Sequence, residues 1–439
     1  MQKRVLSSAI ALALTALASG TALAQSSVTI YGNIDVSFDR VKREAGPSIT
    51  ADLVGAGVNS TLAASVNNSL NGRQSLSRVG PDMSSQSSLG FRGVEDLGGG
   101  YKGNFVLEGQ MGVDNGALLR DGRMFGRQAY AGLTTPFGEI RLGRQYAPIF
   151  FSTAVITTER FGGTDQFVEG GLTNALNIRW DNAVTYSAQI DGFRGQLGFS
   201  PNAGVADVID SNRGSAASDT TGSIVGGNNA GASTEKTSGR GRSWGGFAAY
   251  NVQDLTVSFG YGATSFKGAT VALANAAAPT SPIALFKLDD YSVWNLGAKY
   301  VFKDLGLTLN GTFGRSKYDI TNTGVLIQTL GIDDGSLSVS SLVLGGRYEI
   351  GAVAFLAQWS ETKFRNEGRG KDHGITLGAE YSLSKRTTLY TRWAQVKDTG
   401  AGPAALLPAV GIREVPTYGT GVGVDAKTSM FGLGIRHNF

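Results

Sequence analysis

Apolar and polar residues alternate along this chain with a period of two, in segments of about ten residues, and few folds accept that pattern. In VTIYGNIDVSF, Val28, Ile30, Ile34, Val36 and Phe38 share one parity, against Thr29, Tyr31, Asn33, Asp35 and Ser37. Tyr101, Phe105, Leu107 and Met111 alternate with Lys102, Asn104, Glu108 and Gln110. Trp180, Val184, Tyr186 and Ile190 do so with Arg179, Asp181 and Thr185. The final FGLGIRHNF sets Phe431, Leu433, Ile435, His437 and Phe439 against Gly432, Gly434, Arg436 and Asn438. Successive side chains of a strand point to opposite faces, so each segment reads as a strand with one large apolar side.

The links between segments separate a soluble sandwich from a membrane barrel. Tight links (VEDLGGG, TPFG, DGF, QDL, KDLG, Gly351, LSKR) alternate with long stretches at 39–84, 146–177, 202–241, 267–289 and 397–427. Sixteen strands are expected, starting near Ser27, Ser87, Tyr101, Arg123, Glu139, Ile178, Arg194, Ser243, Thr256, Tyr291, Leu307, Ser338, Ala352, Gly374, Thr387 and Met430. An even strand number, with short turns on one rim and long loops on the other, fits a closed antiparallel transmembrane β-barrel. The polar parity is rich in ionic and amide groups, with Gly and Ala, which suits a wet interior and an apolar exterior. Tyr101, Trp244, Trp294, Trp359 and Trp393 near strand ends are candidates for interfacial girdles. The apolar terminal strand then faces lipid, and pairing with the first strand removes the sheet edge.

The amino terminus agrees with export. Lys3 and Arg4 precede an apolar run from Val5 to Ala18, and Ala22-Leu23-Ala24 is a small-x-small cleavage site, so residues 1–24 read as a signal peptide. Residues 25–439 are then the outer-membrane barrel. The sequence has no cysteine, 63 glycines and 10 prolines. Disulfides are therefore excluded, and long helices are disfavoured. Beyond the signal there is no apolar run long enough for a membrane helix. The formal charge of +4 is spread along the chain and gives no support to nucleic-acid binding.

Four fragments in order, SSVTIYGNIDVSF, SSLGFRGVEDLGGG, GRQAYAGLTTPFGEIRLGRQY and GLGIRHNF, resemble the general diffusion porins of Gram-negative outer membranes, most of all the β-proteobacterial type. The resemblance is densest over residues 26–38, 87–146, 177–186 and 429–439. It implies a sixteen-stranded homotrimer in the cell outer membrane, with a water-filled channel for small hydrophilic solutes in each subunit. It also implies contact with outer-membrane lipid and lipopolysaccharide, and reading of Phe439 by the outer-membrane assembly machinery. Residues 113–122 hold the place of a loop that latches onto a neighbouring subunit, with Asp114 and Asp121 either pairing with its arginines or sitting solvated at the loop tip.

The family folds its third long loop into the lumen, and residues 146–177 hold that place. Ile149, Phe150, Phe151, Val155, Ile156 and Phe161 suit a loop packed on the inner wall; Glu159, Asp165 and Glu169 are its acids. Opposite this loop the family sets wall arginines. Arg127 and Arg179 match ladder positions, and parity also turns Arg92 and Arg141 inward, while Arg144 lies too near the loop for parity to place it. The sequence departs from the family twice. Ser88 stands where many members carry an arginine, and ERFGG replaces PEFGG, so that Arg160 sits at their glutamate. A weak anion preference is the expectation, because rings of Arg and Lys favour anions.

Two alternatives differ in class. A channel specific for phosphate or organic anions needs a closely spaced basic staircase. An enzyme in the same barrel needs a nucleophile–base pair, and the chain has two histidines, His373 and His437, neither near a G-x-S-x-G motif. No cofactor and no metal are implied. A calcium ion bridging acidic loop residues stays open, without nameable ligands.

Overall fold

The computed structural model describes residues 27–44, 50–55, 74–81, 83–119, 123–158, 178–204, 208–210, 240–273, 283–321, 334–365, 370–399 and 427–439, with isolated positions between them. The export segment 1–24 lies outside the described residues, as do Asp121 and the loop residues Glu159, Arg160, Asp165 and Glu169.

The strands are β1 (Ser27–Glu44), β2 (Gln74–Pro81), β3 (Ser88–Gly98), β4 (Tyr101–Gln110), β5 (Gln128–Thr135) and β6 (Gly138–Tyr146). Next come β7 (Arg179–Ile190), β8 (Phe193–Ser200), β9 (Val208–Asp210), β10 (Arg242–Val252), β11 (Leu255–Leu273) and β12 (Ile283–Phe302). The last are β13 (Leu307–Thr321), β14 (Gly335–Ile350), β15 (Val353–Arg365), β16 (Lys371–Ser382), β17 (Thr387–Thr399) and β18 (Lys427–Asn438). Two short helices, α1 (Thr50–Gly55) and α2 (Pro148–Ala154), lie in the first and third long loops.

Sixteen strands, all but β2 and β9, pair antiparallel in chain order, and the ring closes where β1 meets β3 on one side and β18 on the other. No described helix is long and apolar enough to cross a membrane; the strands do so. Lipid forces this closure, because an unpaired backbone N–H or C=O in hydrocarbon costs several kcal/mol. The faces follow the expected parity. On β1, Val28 and Phe38 are 68% and 60% exposed, while Asp35 is 0% exposed. Tyr101, Tyr186, Tyr250, Tyr300, Tyr348 and Tyr381 are exposed near the short-turn rim, where amphipathic rings favour the membrane–water boundary.

The structure departs from expectation at the long-loop rim. The stretch 39–84 is not all loop: β1 runs on to Glu44, and β2 returns alongside it, Val36 opposite Pro81 and Arg43 opposite Gln74. β11 and β12 likewise extend into 267–289, and the fourth wall strand begins at Gln128, not near Arg123. Above the membrane the outer face meets water in place of lipid, so DRVKRE in β1 turns Arg40 and Lys42 outward while Asp39, Val41 and Arg43 stay buried, and its ladder hydrogen bonds continue. β9 is a three-residue strand parallel to β11.

Closure at the carboxy terminus is tight. Gly32 N–H donates to the Phe439 carbonyl at 3.2 Å, and Phe439 N–H donates back at 3.1 Å. A Cβ at residue 32 would meet both the Phe439 ring and the Ser88 carbonyl oxygen. Gly32→Val is therefore expected to cost about 1–3 kcal/mol through overpacking at the seam. A reduced fraction of the fast-migrating folded form in unheated electrophoresis checks this; an unchanged fraction would disprove it.

Candidate functional site

The third loop turns into the barrel directly after β6. Ala147 N–H donates to the Ile178 carbonyl at 2.9 Å, which brings the loop's two ends together. Pro148, with no N–H to lose, opens α2. The helix then crosses the lumenal faces of β10, β11 and β12. Phe151 packs on Phe247 of β10 with ring centroids 5.5 Å apart. Ile149 and Ile156 are fully buried. Ser152 contacts the Asn295 side chain, and the Ser258 hydroxyl donates to the Ser152 carbonyl. Lys299 Nζ donates to the Val155 carbonyl at 2.7 Å, at the end of the helix, and Thr158 Oγ1 donates to Asn310 at 2.7 Å. Apolar side chains and matched polar groups thus tie residues 147–158 to the wall.

At the start of this helix is a network built on Arg127. Its guanidinium pairs with Glu108 of β4, donates Nη1 to Gln86 Oε1, and donates Nη2 to the Tyr146 hydroxyl at 2.9 Å. Glu108 also accepts from the Tyr31 hydroxyl at 2.7 Å. Arg179 lies over the Tyr146 ring, 4.2 Å from its centroid, and donates Nη2 to the same hydroxyl at 2.6 Å. Two guanidiniums therefore converge on one neutral oxygen. Tyr146 in turn stacks on Phe150 of α2 at 4.2 Å, which joins the arginines to that helix.

Regular strand parity breaks down around these two arginines. Tyr130 faces the lumen, with Arg141 5.0 Å over its ring. Arg127 precedes β5 in a bend, and the reach of its side chain, not strand parity, brings it into the network. On β7, Asn182 has φ +52° and the register with β6 slips between Gly143 and Gln145. That bulge turns Trp180, expected on the lipid side, to the inside: it is 0% exposed and abuts the lumenal Gly198 beside Pro148.

The other named residues make their own contacts around the Arg127–Arg179 pair. Arg92 sits 5.2 Å over the Tyr31 ring, and Arg141 pairs with Glu139 at 2.6 Å. Arg144 is buried, pairs with Asp181 and donates Nε to the Gly126 carbonyl at 2.7 Å. Sequence reasoning missed a second lumenal cluster. Glu380 on β16 accepts from Arg392 at 2.7 Å and Arg347 at 3.0 Å, with Arg436 at 3.6 Å. Asp35 accepts the Tyr390 hydroxyl nearby. All six lie on the polar parity of their strands, which was the available signal; their convergence depends on barrel closure.

Because a Cβ at Gly260 would strike the Ser152 side chain, Gly260→Val should push α2 into the lumen. Single-channel conductance is expected to fall relative to the parent; an unchanged value would mean that α2 does not set the width.

A sequence profile for Gram-negative porins matches residues 9–401. The outer membrane porin protein 32 of Delftia acidovorans is 29% identical over 98% of this chain and 99% of its own length. A second outer membrane porin protein, from Bordetella pertussis, is 27% identical, with the same coverage. Among solved structures, an anion-selective porin from Comamonas acidovorans superposes with a TM-score of 0.64 at 24% identity, covering 94% of this chain and all of that one. OmpT of Vibrio cholerae gives 0.57 at 14% identity, over 94% of this chain and 98% of its own. With the profile spanning most of the chain and the closed sixteen-stranded wall beneath it, this protein belongs to the Gram-negative porin family of the outer membrane.

Proposed function

We propose that the barrel is a water-filled diffusion channel for small hydrophilic solutes and ions, with a weak preference for anions set where Arg127 and Arg179 face the constriction loop. The observation that carries this reading is the convergence of two guanidiniums on the Tyr146 hydroxyl. A cation about 7 Å from the ion path changes an ion's energy by roughly 0.6 kcal/mol even at the dielectric of bulk water, about threefold in partition. Arginine keeps its charge at every physiological pH and accepts partial desolvation. The superposable Comamonas porin is described as anion-selective, which agrees with this sign.

The same reading takes residues 1–24 as an export signal removed before assembly, Phe439 as the terminal residue read by the assembly machinery, and the working unit as a homotrimer in lipid and lipopolysaccharide. Arg92 and Arg141 line the wall below the main pair, and Glu159, Arg160, Asp165 and Glu169 supply the loop's own charges. Catalysis is not part of it. His373 stands beside Glu361 at the long-loop rim, and His437 contacts Thr387 Oγ1 at 2.9 Å on the lipid-facing parity.

The test is the reversal potential of purified protein in a planar bilayer under a roughly tenfold KCl gradient. Anion preference is expected, and cation preference or silence of the folded protein would overturn the reading. Glu108→Gln removes the carboxylate on Arg127 and should raise the chloride-to-potassium permeability ratio. Arg127→Gln combined with Arg179→Gln should lower it. Movement of both variants in one direction would show that these groups do not set the field.

A further inference from the structure

The wall between β2 and β3 contains more chain than the barrel needs. Pro81 pairs with Val36 and Ser88 pairs with Asn33, which leaves Ile34 and Asp35 alone on β1 opposite residues 83–87. The surplus does not bulge toward lipid. Asn33 Nδ2 donates to Ser85 Oγ at 2.9 Å and to the Gln86 carbonyl at 2.8 Å. Ser84 N–H donates to Asp35 Oδ2 at 3.2 Å, and Asp35 N–H donates to Ser87 Oγ at 3.0 Å. Asn33 and Asp35 belong to the lumenal parity of β1. Met83 lies over Gly432 of β18, where a Cβ would come within 2.6 Å of its sulfur. Residues 83–87 are therefore an inward strap across the lumenal face of the closing seam.

This strap touches both arginine clusters. Gln86 Oε1 accepts from Arg127, and Ser84 Oγ accepts from Arg436. Both acceptors are neutral. A carboxylate in either place would cancel a positive charge, whereas an amide or hydroxyl oxygen aims the guanidinium and leaves its charge intact. Ser85, between them, is partly exposed. We infer that residues 83–87 form a second constriction element on the wall, with Gln86 a specificity-determining residue that holds Arg127 beside Glu108 while adding no second negative charge. The proposal rests on the channel reading above, and it gives the constriction two inward segments, the α2 loop and this strap.

The absence of cysteine makes the test clean. Ser85→Cys is purified, reconstituted in a planar bilayer, and treated with anionic (sulfonatoethyl) or cationic (trimethylammonioethyl) methanethiosulfonate, with mass spectrometry recording the adduct. Both reagents should reduce conductance. The anionic adduct should lower the chloride-to-potassium permeability ratio, and the cationic one should raise it, each by about twofold or more. A thiol that is not labelled, or labelling without effect on conductance or selectivity, overturns the proposal. Gln86→Glu provides an independent reading: it should lower the ratio by about twofold while the trimer runs normally in unheated electrophoresis, and an unchanged ratio counts against the strap. Silence of the untreated parent protein would instead sink the channel reading itself, so the two failures are distinguishable.

Discussion

The constraint on which the rest of the structure depends is that a sheet in hydrocarbon can have no edge. Every strand must find two neighbours, and β1 is where that demand is met for the whole ring. Its first half pairs with β3, and from Asn33 onward it pairs with β18. The close approach of Gly32 to Phe439 follows, because the terminal residue must hydrogen-bond into the first strand. So does the inward course of residues 83–87. Chain that does not fit the ladder has two places to go, and its serine and glutamine side chains would lose their hydrogen bonds in lipid.

The lumen is organised by the same closure. Arg127, Glu108 and Tyr31 come from β5's approach, β4 and β1, while Glu380, Arg392 and Arg436 come from β16, β17 and β18. In the chain the two groups are hundreds of residues apart. In the barrel they flank the seam, and the strap residues Ser84 and Gln86 reach one each. On the far side, the lumenal groups of β10 to β13 receive α2 through a buried aromatic contact and several hydrogen bonds.

The fold was legible because the solvent on each side writes itself into the sequence. Lipid demands apolar residues at alternate positions, so the lipid face of β1 could be read from Val28 to Phe38 alone. Repetition of that pattern along the chain supplied the strand number and the turn rim. Above the membrane the outer face turns polar and the buried inner face carries apolar residues such as Val41, Phe266 and Phe286, so the code inverts, and the upper part of β1, all of β2 and the ends of β11 and β12 were missed. The site was less legible. Parity is a rule for regular strands, and the site sits where strands are irregular. The bulge at Asn182 reverses Trp180, and Arg127 belongs to a bend. Gln86 and Tyr146 carried no pattern, since their roles depend on which segments are folded inward.

Charge counting along such a wall is a poor guide to the field that a permeating ion meets. Arg141 with Glu139, and Arg347 with Glu349 and Glu380, are ion pairs whose fields largely cancel at a distance. Gln86, Ser84 and the Tyr146 hydroxyl work differently, since each accepts a guanidinium proton and adds no opposing charge. Arg127 already carries Glu108 and Arg436 shares Glu380, so a neutral acceptor leaves each cluster less opposing charge than a further carboxylate would, and the residual positive charge acts over a longer range than a fully matched pair. On the proposed channel reading, the field at the neck follows from which oxygens hold each arginine as well as from how many arginines there are. Exchanging a neutral acceptor for a carboxylate adds one negative charge to a cluster whose balance is already close, because Glu108 and Glu380 each face arginines there.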